Sequence, residues 1–248
     1  MKHNKKQTHK IKTNQKGNAF LIVLLGIALF AALAFTISRS MRSDNTTRLS
    51  QREAVLAAAD VLDYAQQMER AVNKLRRRGV SENDISFVND YAAGYEHTPN
   101  QLNENKIFNI SGGGINWIDP TPGVDQNMLP YVDASVRLNE WMFSGRNTLP
   151  GLGTANGKEL LLALHFVKKE ICLKINDRLG IDNPGESPPP EKIAAPPGGL
   201  LTTAYTGTFN AAAQGVDNGV PGAGTACLTV EANGSGDYYM FYHVLIER

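Results

Sequence analysis

The sequence predicts an α+β protein. An N-terminal transmembrane helix continues into a long amphipathic helix packed on a small antiparallel sheet, followed by a second helix and a C-terminal β-hairpin. Three observations predict it: an uncharged run from Ala19 to Ile37, an apolar seam from Ala54 to Leu75, and two apolar runs around Asn233-Gly234.

The first run reads AFLIVLLGIALFAALAFTI, with Thr36 its only polar side chain. At 1.5 Å per residue it extends about 28 Å, close to the hydrocarbon thickness of a bilayer. A buried helix of soluble protein would carry a polar stripe, which this run lacks. Six lysines precede it and Arg39, Arg42, Arg48 and Arg52 follow, so the charge bias favours a cytoplasmic N-terminus only mildly. The stretch also admits an ordinary secretory signal, with Phe20–Phe30 as the apolar region and a cut after Ala34 in Ala32-Leu33-Ala34.

No glycine or proline falls between Gly26 and Gly79, so nothing forces a helix to stop. Ala54, Ala58, Val61, Ala65, Met68, Val72 and Leu75 recur at spacings of 4 and 3, drawing one helix-packing seam. That seam packs either on the chain's own globular domain or in a parallel coiled coil. Lys74, Arg76, Arg77 and Arg78 end the helix in accord with its dipole, and Gly79 can cap it. The polar run Ser43–Thr47, just before Ser50-x-x-Glu53, predicts a kink or break near residues 43–50.

Beyond Gly79 short segments alternate with Gly, Pro and Asn. Ser81-x-x-Asp84 predicts a short helix; Ile107–Ile110, Ile115–Ile118 and Val136–Phe143 read as strands; Lys158–Leu179 reads as the second helix, ended by Gly180. Six of the twelve prolines lie in residues 181–200, which reads as an extended connector. Thr225–Val230 and Tyr238–Ile246 flank Asn233-Gly234 as a hairpin. The second of these is apolar on both alternating faces and belongs inside a sheet. The resulting organisation is a basic leader at 1–17, a transmembrane helix at 18–38, an amphipathic stalk at 39–79 and an exported α+β domain at 80–248.

Charge separates these zones, although the 25 basic and 24 acidic residues nearly cancel. Residues 1–17 hold six lysines and no acid, whereas residues 80–248 hold ten basic against nineteen acidic side chains. A net charge of +1 supplies no grip on a nucleic-acid backbone, so nucleic acid is not an expected partner. Two cysteines and five scattered histidines match no metal-ligand spacing, and no metal or cofactor is expected. Cys172 and Cys227 bracket the proline-rich connector. They suit a disulfide in an oxidising compartment, or else are two unrelated buried thiols.

No catalytic set emerges. Gly151-Leu-Gly153-Thr-Ala-Asn-Gly157 misses the dinucleotide-binding spacing by one residue and is not followed by the Lys-Ser/Thr pair of a P-loop, so it reads as a strand-to-helix turn. Ser111 and Ser235 fit no nucleophile elbow, and His165 and His243 lie in apolar segments as core residues. A non-enzyme is the expectation.

The lysine-rich leader ending Lys16-Gly17, the apolar span that starts at once after it and the amphipathic continuation resemble the N-terminus of a type IV prepilin or pseudopilin. The resemblance covers about the first 80 residues. It implies cleavage by a prepilin peptidase between Gly17 and Asn18, anchoring in membrane lipid, and packing of apolar helices with other pilin-like subunits. It further implies a single-pass protein of the inner membrane with its C-terminal domain periplasmic or extracellular. Asn18 stands where the family usually starts with Phe or Met, and Ile22 stands at the fifth mature position in place of the usual Glu. Those departures point to a minor, initiating or tip subunit of a pilus or secretion-type filament. The alternative is a membrane-tethered or secreted binding module that does not polymerise.

Overall fold

The computed structural model describes residues 19–125, 140–154, 157–191, 203–209, 214–215, 220–230 and 237–248. The chain divides into two units, Met1–Ser50 and Gln51–Arg248. The leader, with Gly17 and Asn18, lies outside the described residues.

Helix α1 (Ala19–Arg77) is the longest element among those described, and its backbone stays helical through residues 43–50, so the polar run does not break it. In the first unit Ile22, Val23, Leu24 and Leu25 are each more than half exposed, and Phe20 and Phe30 are about three-quarters exposed. Four consecutive positions cover all sides of a helix, so this surface is apolar all round. Among the described residues no helix is long and apolar enough to cross a membrane. The described side chains of the run reach only from Phe20 to Ala32, and residues 33–37 of the expected span lie beyond them.

The second unit begins at Gln51, so the later half of α1 belongs to the same compact body as the region after Gly79. Its centre is an antiparallel sheet. Strands β1 (Met142–Thr148), β2 (Glu159–His165), β5 (Thr225–Val230) and β6 (Tyr238–Ile246) pair in the order β5-β6-β2-β1. Two-residue strands β3 (Pro190–Glu191) and β4 (Gln214–Gly215) add in parallel to β5 and β1 at the two edges. Proline suits such an edge, because its missing N–H removes no ladder bond. β6, apolar on both faces, lies between β5 and β2 as its pattern predicts. The hairpin turn around Asn233-Gly234 falls outside the described residues.

Three sequence expectations need correction. Residues 158–179 form no continuous helix: Glu159–His165 is strand β2, and helix α2 (Lys169–Leu179) starts only afterwards. Leu160–Leu164 favour helix locally, but as a strand between β1 and β6 all seven β2 residues are buried. Phe166, at φ 58°, marks the change of direction, and Gly180, at φ 70°, ends α2 as expected.

Residues 107–110 form turns and residues 115–118 an irregular segment, neither of them a strand. The amides of Gly113 and Ile115 fold back onto the carbonyls of Lys106 and Ile107, and a Cβ at Gly112 or Gly113 would overlap that backbone. The third expected strand, Val136–Phe143, is displaced: β1 starts at Met142, and residues 136–139 lie outside the described ones.

The seam decides how α1 packs. All seven residues from Ala54 to Leu75 are buried, none more than 7% exposed, in one core with the sheet. In the β5–β6 register Thr225, Cys227 and Thr229 face His243, Phe241 and Tyr239. That face carries both the disulfide to α2 and the His243 contact to α1. At the end of α1 the arginines are used within the fold. Arg76 pairs with Glu82 at 2.9 Å, and Arg78 donates to the carbonyls of Ser111 and Gly112.

Candidate functional site

Cys172 and Cys227 are joined, their Cα atoms 5.3 Å apart, and among the described residues no cysteine is free. One turn along α2, Asn176 doubles the attachment. Its Oδ1 accepts from the Cys227 N–H at 3.0 Å and its Nδ2 donates to the Cys227 carbonyl at 2.8 Å. Positions four apart lie on one helix face, so the sulfur and the amide reach the same strand residue. Asn176 is completely buried and satisfies backbone groups that β5 would otherwise leave unpaired.

A polar chain links α1 to the sheet. Glu69 Oε2 lies 3.3 Å from His243 Nε2, and His243 Nδ1 lies 2.6 Å from Thr225 Oγ1. The order carboxylate, imidazole, hydroxyl has the topology of a nucleophile-activating triad. Here it spans helix and sheet, with His243 only 8% exposed. Burial pushes His243 below its ordinary pKa, opposed by the Glu69 carboxylate. The arrangement can orient an imidazole and tie α1 to β6, and we assign it no reaction. The sequence gives Glu69 only as a polar position on the helix and His243 as a core residue. What joins them is the β6 register against α1, which no local motif encodes.

The glycine-rich segment 151–157 connects β1 to β2, strand to strand instead of strand to helix. It holds the chain's own residues. Gly153 N–H donates to the Glu247 carboxylate at 2.9 Å and Thr154 N–H to the Arg248 carbonyl at 2.6 Å. A Cβ at Gly153 or Gly157 would overlap the Arg248 carbonyl, which accounts for both glycines by close approach. His165 is in β2, not in a helix, and lies buried with Nδ1 unpartnered; burial pushes its pKa down to about 4. Among the described residues no group of three or more His, Cys, Asp or Glu is placed to hold a metal ion.

A groove of about 540 Å³ lies between residues 88–91 and 106–117. A series of rings runs from it into the core. Tyr91 stacks on Trp117 with 5.8 Å between centroids and 13° between planes, Trp117 contacts Phe108, Phe108 meets Phe143, and Phe143 stacks on Phe87. Exposure rises along that series from Phe87 and Phe143, fully buried, to Tyr91 at 70%. Both walls are fixed. Asn89 accepts from the amides of Tyr91 and Ala92 and donates to the Phe87 carbonyl, while Lys74 donates to the Gly113 carbonyl at 3.1 Å. Sequence reasoning missed this groove. Its only local signal is a pair of aromatic residues, Tyr91 and Trp117, in Asn- and Gly-rich segments without strand or helix periodicity. Compared with protein-family models, curated proteins and solved structures, the chain matches none.

Proposed function

We propose that this chain is a pilin-like, single-span membrane protein with a structural or assembly role in a type IV pilus or secretion-type filament, as a minor subunit. The observation that carries the reading is the change of pattern along α1. From Ile22 to Phe30 the helix exposes apolar side chains on every side, whereas from Ala54 to Leu75 it buries one seam against an antiparallel sheet. Covering each large apolar side chain contributes about 1.5–3 kcal/mol, so the uncovered stretch favours a second apolar phase. Lipid supplies that phase for a single subunit, and neighbouring helices supply it in a filament. The disulfide suits a domain exported to an oxidising compartment. A membrane-tethered or secreted binding module that does not polymerise is the second reading, favoured by the open aromatic groove.

N-terminal sequencing of the protein from membranes of cells that contain a prepilin peptidase tests the proposal. A mature chain starting at Asn18 agrees with it. A start at Phe35 in a soluble fraction would overturn it in favour of a secreted module, and an uncut Met1 would leave an anchored protein outside the filament pathway.

A further inference from the structure

We propose that the groove beside Tyr91 and Trp117 binds a neutral saccharide. The inference goes beyond the assembly reading and stands whether or not the leader is cleaved.

Three properties of the groove select the ligand class. The first is its exposed ring face. Tyr91 is 70% exposed although it ends a series of rings that continues to Phe143 and Phe87 in the core. A ring stacked on Trp117 and still largely open to solvent offers apolar surface on which a ligand can stack. A pyranose offers a matching surface, with one flat face of C–H groups and a rim of hydroxyls.

The second property is the hydrogen-bonding rim. Asn116 makes no side-chain hydrogen bond among the described residues, and Asn109 uses only its Oδ1, accepting from Ser111 N–H at 3.0 Å. Neutral amides that both donate and accept suit hydroxyls, which also do both. The third is charge balance. Among the described residues, Asp90 and Lys106 are the only charged ones lining the groove, one of each sign, and Lys106 Nζ already donates to Asn103 Oδ1 at 3.1 Å. A phosphorylated or nucleic-acid ligand would need excess positive charge, which is absent. A hydrocarbon chain would leave the amides without partners. A volume of about 540 Å³ falls within the range of small-ligand sites and leaves room for a short oligosaccharide.

The full-length, disulfide-bonded chain in a detergent with a zwitterionic, sugar-free headgroup is titrated separately with chitotriose, cellotriose, maltotriose and a proline-rich peptide, and its indole N–H resonances are followed by NMR. The fold supplies an internal control, because Trp141 is buried and its indole donates to the Ile118 carbonyl at 2.8 Å. The expected result is a saturable shift of the Trp117 indole by at least one sugar, with Trp141 unmoved. Affinity should fall about tenfold in Tyr91→Ala, the scale of one lost stacking contact. Tyr91 is mostly exposed, so that variant keeps its melting temperature. No response of Trp117 to any of the sugars at millimolar concentration would overturn the proposal. So would a response undiminished in Tyr91→Ala. A response confined to a proline-rich peptide, the other ligand that aromatic grooves take, would also overturn it and reassign the groove to a protein partner.

Discussion

Phe30 and Val72 are both apolar residues of α1, yet Phe30 is 76% exposed and Val72 is fully buried. Around Phe30 the apolar residues are consecutive; around Val72 they recur every three or four positions with charged residues between them. Periodicity, more than apolar content, decides the outcome. A seam can be covered by one sheet, whereas an all-round apolar surface needs a surrounding phase. The two stretches of one helix therefore answer to different solvents, and perturbations should separate them.

The largest separation is expected from placing a carboxylate in each stretch. Val72→Asp puts an uncompensated charge in the core, costing more than about 4 kcal/mol, and should abolish the folded domain by circular dichroism. Ile27→Asp, at a position 62% exposed, should leave the domain's unfolding midpoint unchanged. Its effect should instead be on membrane partitioning, by about 3 kcal/mol, read by alkaline extraction of membranes. A folded Val72→Asp domain would break the comparison.

Next in size is the disulfide, which stabilises only the covered stretch. Cys172→Ala with Cys227→Ala opens a loop with a sequence separation of 55 and should cost about 4 kcal/mol in urea unfolding. Membrane partitioning should not change. Asn176→Ala in the oxidised protein should cost about 1–3 kcal/mol, because it strips both backbone partners of Cys227 while the sulfurs hold α2 in place. If Asn176→Ala were neutral, the amide would be incidental to the staple.

These residues also show what the sequence discloses. The seam was legible because seven small or apolar residues keep one spacing through a stretch without Gly or Pro, and β6 because both of its faces are apolar. β2 was misread as helix because Leu and Ala favour helix in isolation, and only its place between β1 and β6 makes it a strand. Asn176 reads as an ordinary polar helix position; its role depends on β5 presenting unpaired backbone at the right place. The Tyr91 groove is assembled from turns whose hydrogen bonds run to α1 and to each other, with no period to detect. Local pattern thus gives the elements whose partner is a whole face, and fails where a single distant residue is the partner.

The remaining predictions concern charge inside the covered unit and should leave the exposed stretch of α1 unaffected. His165 has its pKa lowered from 6.5 to about 4 by burial, so between those values the unfolded chain binds the extra proton. Its contribution is complete above pH 6.5 and is lost as the pH falls, by roughly 3 kcal/mol at pH 4. His165→Leu should shrink the difference between urea midpoints at pH 7 and pH 4; an unchanged difference would mean that the imidazole is hydrated in the fold.

The smallest effect runs in the opposite sense. Glu159 is fully buried, with Oε2 accepting from Leu149 N–H at 3.2 Å and Oε1 unpartnered, and burial raises its pKa. The charged form is therefore disfavoured in the folded state, and this penalty grows as the pH rises through the raised value. Glu159→Gln keeps an acceptor for Leu149 and removes the charge, which should raise the melting temperature at pH 7 by about 2–4 °C, the response to about 1 kcal/mol in a domain of this size. At low pH, where Glu159 is already protonated, the gain should vanish. A gain that persisted there would trace the stabilisation to the new amide's hydrogen bonding instead of to the lost charge.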